Sequence, residues 1–379
     1  MSARRPEGRA RPYTPVQLAV TALGVALVAG AIAANQRWLD RHFLPSFFVP
    51  RAWYVRAETI VRMGIAAVGV ALIAAARHLG RLLTRTPGRA VSIAAAIVAA
   101  FGVGEFVLRW APPRSLGWLV ANDEPRRQPD ARLGWVLTPS RVGHVVVDGH
   151  TIDYAVDGNG YRVRTLEDPV DFARPTILFA GESVMFGDGL TWDDSVPARV
   201  GALIQVQSAN LAVHGYSSDQ AYLHLERELP RFRRPIAVVT LFMTTLFGRN
   251  LDDDRPHLGP GLRWLPANPP SRLGALTALL VPFRRDKTVD DGVTMTGEVL
   301  RATAALAETR GATTLILVPQ IGPESPPEAD LRHRILDKSG VPYAFIEIDP
   351  EWHVPFDRHP DARAAQVIAA AIATRLRGT

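Results

Sequence analysis

Two patterns of apolar positions divide this chain. Up to about residue 110 the apolar residues come in long runs, at 17–35, 59–77 and 90–108, the second interrupted by Arg62 near its start. Beyond residue 175 they come in short runs rich in Val, Ile and Leu, separated by stretches with helical spacing. A bilayer core takes about 20 apolar residues, so each early run is long enough to span it. Their Ala and Gly content suits close packing of helices in lipid. Glu105 and Arg109 stand at an i,i+4 spacing that pairs them at the end of the third run. A soluble Ala-rich bundle would show a polar face, which these runs lack. Residues 1–110 are therefore expected to be a membrane region with three transmembrane helices. Ala31-Ile32-Ala33 resembles a signal-peptidase site, and cleavage there would leave two spans with the same final side.

Trp110 to Arg127 has no period and reads as a linker. The β-branched runs at 145–147 and 151–156, with Asp148-Gly149 and Asp157-Gly-Asn-Gly160 as turns, predict a small antiparallel β-element. Linker and β-element together occupy 111–174. From 175 to 379 strands are expected at 176–181, 208–213, 236–243, 313–319 and 343–348. Helices are expected near 193–206, 218–229, 295–310, 328–338 and 361–377. That alternation means an α/β domain, a parallel sheet with helices on both faces. Residues 249–292, rich in Pro, Gly, Arg and Asp, form a long insertion after the third strand, where such loops shape substrate sites.

Charge sharpens the division. The net charge is +6, yet residues 1–110 hold 14 Arg against 4 acidic residues, so the remainder carries −4. A nucleic-acid partner would want the basic surface on the folded domain, so none is expected. The N-terminal tail and the 77–89 loop, with Arg77, Arg81, Arg85 and Arg89, are basic and expected to stay cytoplasmic. Three spans then deliver residues 111–379 to the far side of a bacterial inner membrane, periplasmic or extracellular. The 36–58 loop, with Arg37, Arg41, Arg51 and Arg56, carries the opposing signal. The chain has no cysteine, which excludes disulfides, thiolate nucleophiles and Cys-ligated zinc.

The candidate chemistry centres on Ile177 to Leu190. A buried strand there stops at Gly181, and Ser183 sits at the turn, with Gly187 and Gly189 just beyond. That is the edge where α/β sheets build their sites. A nucleophilic serine needs a base and an acid to orient it. Phe356-Asp357-Arg358-His359-Pro360 offers both after the fifth strand, although a surface turn capping a helix at Asp361 would look the same. His353 is a rival base without a matching acid. Asp252-Asp253-Asp254 reads as solvated surface rather than a metal site, since no ligand set accompanies it.

Gly181-Glu182-Ser183 with Gly187, the glycine in Asn210-Leu-Ala-Val-His-Gly215-Tyr, and Asp357-Arg358-His359-Pro360 together resemble the SGNH (GDSL-like) hydrolase superfamily. The resemblance covers roughly 175–379, with the block order of a flavodoxin-like, three-layer doubly wound sheet. Arg132-Leu-Gly-Trp135 and Gly158-Asn-Gly-Tyr-Arg162 are similar to segments ahead of such domains in membrane-anchored bacterial members. It implies that Ser183 attacks an acyl carbonyl, with His359 as base oriented by Asp357, and no cofactor. The implied oxyanion donors are the Ser183 and Gly215 N–H groups and an Asn side chain. Asn250 is the nearest candidate for the last, beyond the family's usual position; Thr244 or Thr245 as donor, or no third donor, are the alternatives. Glu182 replaces the usual Asp, and Asp-x-His replaces the commoner Asp-x-x-His. The implied activity is that of a membrane-anchored esterase or O-acyltransferase on an acylated carbohydrate or other ester, with a membrane protein partner where acyl groups are passed on. A catalytically inactive glycan-binding or assembly component is the alternative. A nucleotide or flavin binder is disfavoured, because Glu182 puts negative charge where a phosphate would sit.

Overall fold

The computed structural model describes residues 13–85, 87–110, 119, 123–338, 340–355 and 357–378. The basic tail before Tyr13 and most of the expected linker lie outside these residues. The chain divides into two units, Met1–Arg41 with Pro50–Ala111, and His42–Val49 with Pro112–Thr379.

In the first unit the apolar runs form helices: α1 (Pro15–Ala33), α2 (Gln36–His42), α3 (Arg51–Arg85) and α4 (Pro87–Trp110). Thr14 starts α1 with a capping box, exchanging side-chain and backbone bonds with Gln17, and Pro15 fills the first helical position. Among the described residues, α1 and α3 are long and apolar enough to cross a membrane. The third expected span falls within α4, part of whose side chains lie outside the described residues. Helices α1 and α3 cross at a pair of glycines. A Cβ on Gly24 would stand 2.6 Å from the Gly69 carbonyl oxygen, and one on Gly69 would stand 2.7 Å from that of Gly24. The backbones therefore touch, as small residues allow in lipid.

The second unit is built on an eight-stranded sheet. Its parallel part comprises β6 (Pro175–Ala180), β7 (Gln207–Asn210), β8 (Arg234–Leu241), β11 (Thr313–Ile321) and β12 (Tyr343–Ile348); the antiparallel pair β9 (His257–Gly259) and β10 (Arg263–Leu265) and the helices α8 (Arg272–Leu280) and α10 (Pro326–Arg332) fall between β8 and β12 along the chain. The spatial order β7-β6-β8-β11-β12 is the doubly wound order of flavodoxin-like folds. Side chains of β6 alternate between layers as a pleated strand requires. Ile177 and Phe179 join a core with Val200 of α6 (Val196–Ile204) and Ile368 of α11 (Ala362–Arg377). Leu178 and Ala180 join another with Leu225 of α7 (Ser218–Glu228) and Ala307 of α9 (Asp286–Glu308). Helix α9 starts earlier than the sequence pattern suggests, because its first turns lie inside the polar 249–292 stretch.

The small β-element does not stand apart. A short antiparallel pair, β1 (Arg127–Asp130) and β2 (Gly134–Leu137), comes first. Then β3 (Arg141–Val147), β4 (His150–Val156) and β5 (Arg162–Val163) extend the main sheet, through a single antiparallel pairing of Arg162 with Asn210. That junction buries Arg162 completely. Its guanidinium donates to the carbonyls of Phe186 (2.6 Å), Gly187 (2.8 Å) and Leu190 (2.6 Å), and lies 4.7 Å from the Tyr154 and Phe186 ring centres. A fork of fixed donors thus ties down the turn that follows Ser183. Arg162→Met would remove three charge-assisted hydrogen bonds, worth about 1.5–3 kcal/mol each before any rearrangement, although the Phe186 carbonyl would keep the Asn210 amide at 3.2 Å and the Gly187 carbonyl the Leu190 N–H at 3.1 Å. Urea unfolding of the variant is expected to show a loss of at least about 3 kcal/mol, and an unchanged midpoint would refute this role.

Candidate active site

Ser183 is placed by a turn with little freedom. Strand β6 ends at Ala180, and a Cβ at Gly181 would come 2.9 Å from the Met185 Cβ, so only glycine lets the chain fold back there. Glu182 is extended and caps the one-turn helix α5 (Ser183–Phe186) with its own carboxylate, which accepts from the Val184 N–H at 3.1 Å. Gly187 ends that turn at φ +85°, left-handed backbone that glycine adopts without strain. Ser183 therefore stands at the C-terminal edge of the central strand, and it is buried.

The loop after β12 brings the partners to the same edge. His353 pairs with Pro360 and the Val354 N–H donates to the His359 carbonyl, which closes the loop on itself. Asp361 then caps α11 by accepting from the N–H groups of Arg363 and Ala364. Within this loop His359 Nε2 lies 2.8 Å from Ser183 Oγ. On the other side of the ring, Nδ1 lies 2.7 Å from Asp357 Oδ1, and the same oxygen accepts the His359 backbone N–H at 3.2 Å. The Asp-x-His spacing suits that double contact. With Nδ1–H directed to the carboxylate, Nε2 is left to accept a proton from the serine. His353, the rival base, turns its Nδ1 to the carbonyls of Val354 and Asp357.

Two further groups crowd the serine and the imidazole, and sequence reasoning had assigned neither a part here. Glu182 Oε2 lies 2.7 Å from Ser183 Oγ, so this carboxylate and His359 Nε2 compete for the one hydroxyl proton. Asp188 Oδ2 lies 3.9 Å from His359 Nε2 and 2.9 Å from His214 Nδ1, while Tyr154 donates its hydroxyl to Oδ1 at 3.1 Å. Burial disfavours charge on His359, but the Asp357 hydrogen bond and the charges of Asp188, Asp357 and Glu182 outweigh it and raise its pKa. Burial would raise Asp188 too, yet the contacts with His214, His359 and Tyr154 hold it far below the ordinary carboxylate range. Asp357 is likewise lowered, its burial outweighed by the His359 hydrogen bond. A third unassigned neighbour comes from far away in sequence. The Phe47 ring centre is 5.2 Å from that of His359, and its backbone N–H donates to the Thr245 carbonyl at 3.1 Å.

Of the remaining candidates, Gly215 lies in the loop after β7 at φ +84°, with its carbonyl held by Arg255 Nη1 at 2.8 Å. Asn250 is engaged elsewhere. Its amide donates to Ser218 Oγ (3.2 Å) and Thr296 Oγ1 (2.9 Å), and its carbonyl accepts from the Ser218 N–H (2.9 Å). Both amide protons are spent on tying the loop after β8 to α7 and α9, which leaves none for an oxyanion. Asp252 pairs with Arg255 and Arg284, and Asp254 lies 3.5 Å from Arg255, so these acids bind the insertion to the body. Nucleophile, base and orienting acid thus form one hydrogen-bonded chain, the arrangement that activates a serine for acyl transfer.

No family model matches the chain, and no curated relative does. Solved structures that resemble it include GDSL-like lipolytic proteins, esterases and an acyltransferase. One is described as a lipolytic protein of the G-D-S-L family from Desulfitobacterium hafniense, at 10% identity over 53% of this chain and 98% of that one, TM-score 0.34. An acetyl xylan esterase from Butyrivibrio proteoclasticus is 11% identical over 56% of this chain and 66% of its own, TM-score 0.34. A carbohydrate esterase is 12% identical over 63% and 84%, TM-score 0.36. At these TM-scores the likeness adds no weight to the strand order and the hydrogen-bonded chain of Asp357, His359 and Ser183.

Proposed function

We propose that this protein is a membrane-anchored serine esterase or O-acyltransferase of the SGNH type, working through an acyl-serine intermediate. The observation that carries the reading is the relay from Asp357 through His359 to Ser183, with contacts of 2.7 and 2.8 Å. In the first half-reaction Ser183 Oγ bonds the acyl carbon while His359 Nε2 takes its proton. The carbonyl electron pair moves to oxygen beside the Ser183 and Gly215 N–H groups. Collapse expels the alcohol, which takes the proton back from His359. In the second half-reaction water or a sugar hydroxyl repeats the sequence on the acyl-serine, which is the difference between hydrolysis and transfer. Asp357 holds the ring tautomer and stabilises the imidazolium without itself being protonated.

The acyl group is taken to be acetyl and its carrier an envelope or exported polysaccharide. Support for that class comes from the early apolar helices and from the arginines of the N-terminal tail and the 77–89 loop, a distribution that favours residues 111–379 outside the cytoplasm while the 36–58 arginines oppose it. A partner protein in the membrane would supply acyl groups if the enzyme transfers rather than hydrolyses.

With p-nitrophenyl acetate, Ser183→Ala is expected to lower kcat by roughly 10⁴-fold or more. Wild-type turnover no higher than that of Ser183→Ala would sink the enzyme reading and leave a non-catalytic glycan binder. Catalysis needs neutral His359, whose pKa is raised, so kcat/KM is expected to climb with pH through a value above about 6.5. Asp357→Asn removes the largest raising contribution; its midpoint should fall, and its rate drop on the order of 10⁴-fold. A wild-type midpoint below the ordinary histidine value would contradict that electrostatic account. For topology, the absence of native cysteine allows Val146→Cys, at a position 73% exposed on β3, to be labelled selectively. A membrane-impermeant maleimide should label it in intact spheroplasts; labelling only after lysis would place the second unit in the cytoplasm.

A further inference from the structure

The site around Ser183 is rich in negative charge. Glu182 touches the nucleophile at 2.7 Å, Asp188 stands 3.9 Å from His359 Nε2, and Asp357 holds the other ring nitrogen at 2.7 Å. Acyl transfer must build one more negative charge there, on the carbonyl oxygen, and like charges at such separations repel strongly in a buried site. Asn250 has spent both amide protons on Ser218 and Thr296. A cation near Glu182 would oppose this charge, and Arg249 is one.

Arg249 lies in the 3₁₀ turn Thr244–Leu251, which follows β8 at the same sheet edge as Ser183. Its side chain is only 12% exposed. Nη1 lies 3.5 Å from Glu182 Oε2, an ion-pair contact too long for a strong hydrogen bond. Among the described residues, Arg249 Nη1 and Glu182 Oε1 are both buried without a hydrogen-bond partner. An unspent guanidinium proton therefore faces the carboxylate that touches the nucleophile. Burial pushes the Arg249 pKa down and Glu182 opposes the fall, but a guanidinium starts high enough to stay charged.

We propose that Arg249 is the third oxyanion donor of this site, taking the part that an asparagine amide would play, with Glu182 holding it in place between turnovers. The proposal rests on the acyl-serine reading. As Ser183 Oγ bonds the acyl carbon and its proton passes to His359 Nε2, the carbonyl pair moves to oxygen. Arg249 Nη1–H turns from Glu182 to that oxygen and donates a hydrogen bond, keeping its proton throughout. Collapse returns the pair to the carbonyl and breaks the bond to the alcohol, which leaves with the proton from His359.

Steady-state turnover of p-nitrophenyl acetate by Arg249→Ala is expected to show kcat lowered by about 10²–10³-fold, the usual loss of an oxyanion donor, with KM little changed. Added methylguanidinium should restore part of kcat in Arg249→Ala and none in Ser183→Ala. Stoichiometric labelling of Ser183 by a fluorophosphonate, read by intact mass, should slow in parallel, because its phosphoryl oxygen needs the same donors. Arg249→Lys keeps the charge without the fork; it serves if the alanine variant melts early, and its kcat should fall between wild type and alanine. Wild-type rates of turnover and labelling in Arg249→Ala would overturn the proposal while leaving Ser183 the nucleophile. A wild-type protein that neither turns over ester nor takes the label at Ser183 overturns the acyl-serine reading, and this proposal with it.

Discussion

The 2.8 Å contact between Ser183 Oγ and His359 Nε2 joins residues 176 positions apart, and the second unit is arranged to make it. Only a parallel sheet allows this with short loops, because every strand then ends at the same edge. Strand β6 delivers the serine and β12 the imidazole, with β8 and β11 between them in the sheet. Neither side chain can wander. The serine turn is trapped by the close approach of Gly181 to Met185 and by the three carbonyls on Arg162, while the histidine loop is closed by the Val354–His359 and His353–Pro360 pairings. Preorganisation of this kind is what converts a weak hydroxyl nucleophile into a competent one.

Electrostatic balance is the second constraint. A buried Arg162 and a half-buried Asp188 both contact Tyr154, whose hydroxyl donates to Asp188 and accepts from the Gly189 N–H at 2.7 Å. Unpaired, either charge would carry the heavy cost of leaving water. Arg162 spends Nη1 and Nη2 on carbonyls and lies against two aromatic rings, with Nε left unbonded, while Asp188 is held by a tyrosine and two imidazoles. Because Asp188 stays ionised, it helps hold a proton on His359. Burial alone would make the His359 imidazole less basic; the Asp357 hydrogen bond with the charges of Asp188, Asp357 and Glu182 reverses that. Arg249, 3.5 Å from Glu182 Oε2, sets a positive charge against the carboxylate beside Ser183.

The strands of the parallel sheet were legible because their runs of Val, Ile and Leu are long and bounded by turn residues. Strand β7 is shorter than its apolar pattern, which runs on into Leu211, Ala212 and Val213; these are buried, and the Leu211 and Val213 N–H groups still donate to the Phe179 and Gly181 carbonyls at 2.9 and 3.1 Å. Ser183, His359 and Asp357 were legible as residue types at strand ends, and their mutual geometry follows from the strand order. Asn250 was not, because what an amide donates to depends on tertiary neighbours: Ser218 and Thr296 lie 32 and 46 residues away. Asp188 was hidden for a different reason. In Gly187-Asp188-Gly189 it reads as a polar turn, and nothing local indicates that His214 and His359 will fold onto it.

The segment His42–Val49 was the least legible part, since it lies between two apolar runs and reads as an interhelical loop. By its contacts it belongs to the second unit. His42 exchanges backbone and ring bonds with Arg284 and stacks on Phe283 at 4.9 Å, Leu44 packs on the cluster around Phe247 and Val293, and Phe47 is buried beside His359. A polar loop would gain nothing from this packing, whereas Phe47 removes a large apolar surface from water and walls the imidazole against it. The boundary of apolar pattern near residue 110 and the boundary of packing therefore differ by the segment His42–Val49. The base of the relay depends for part of its dry surroundings on residues encoded before the second apolar helix, and the sheet-bearing residues from 112 onward do not by themselves contain the whole wall of the site.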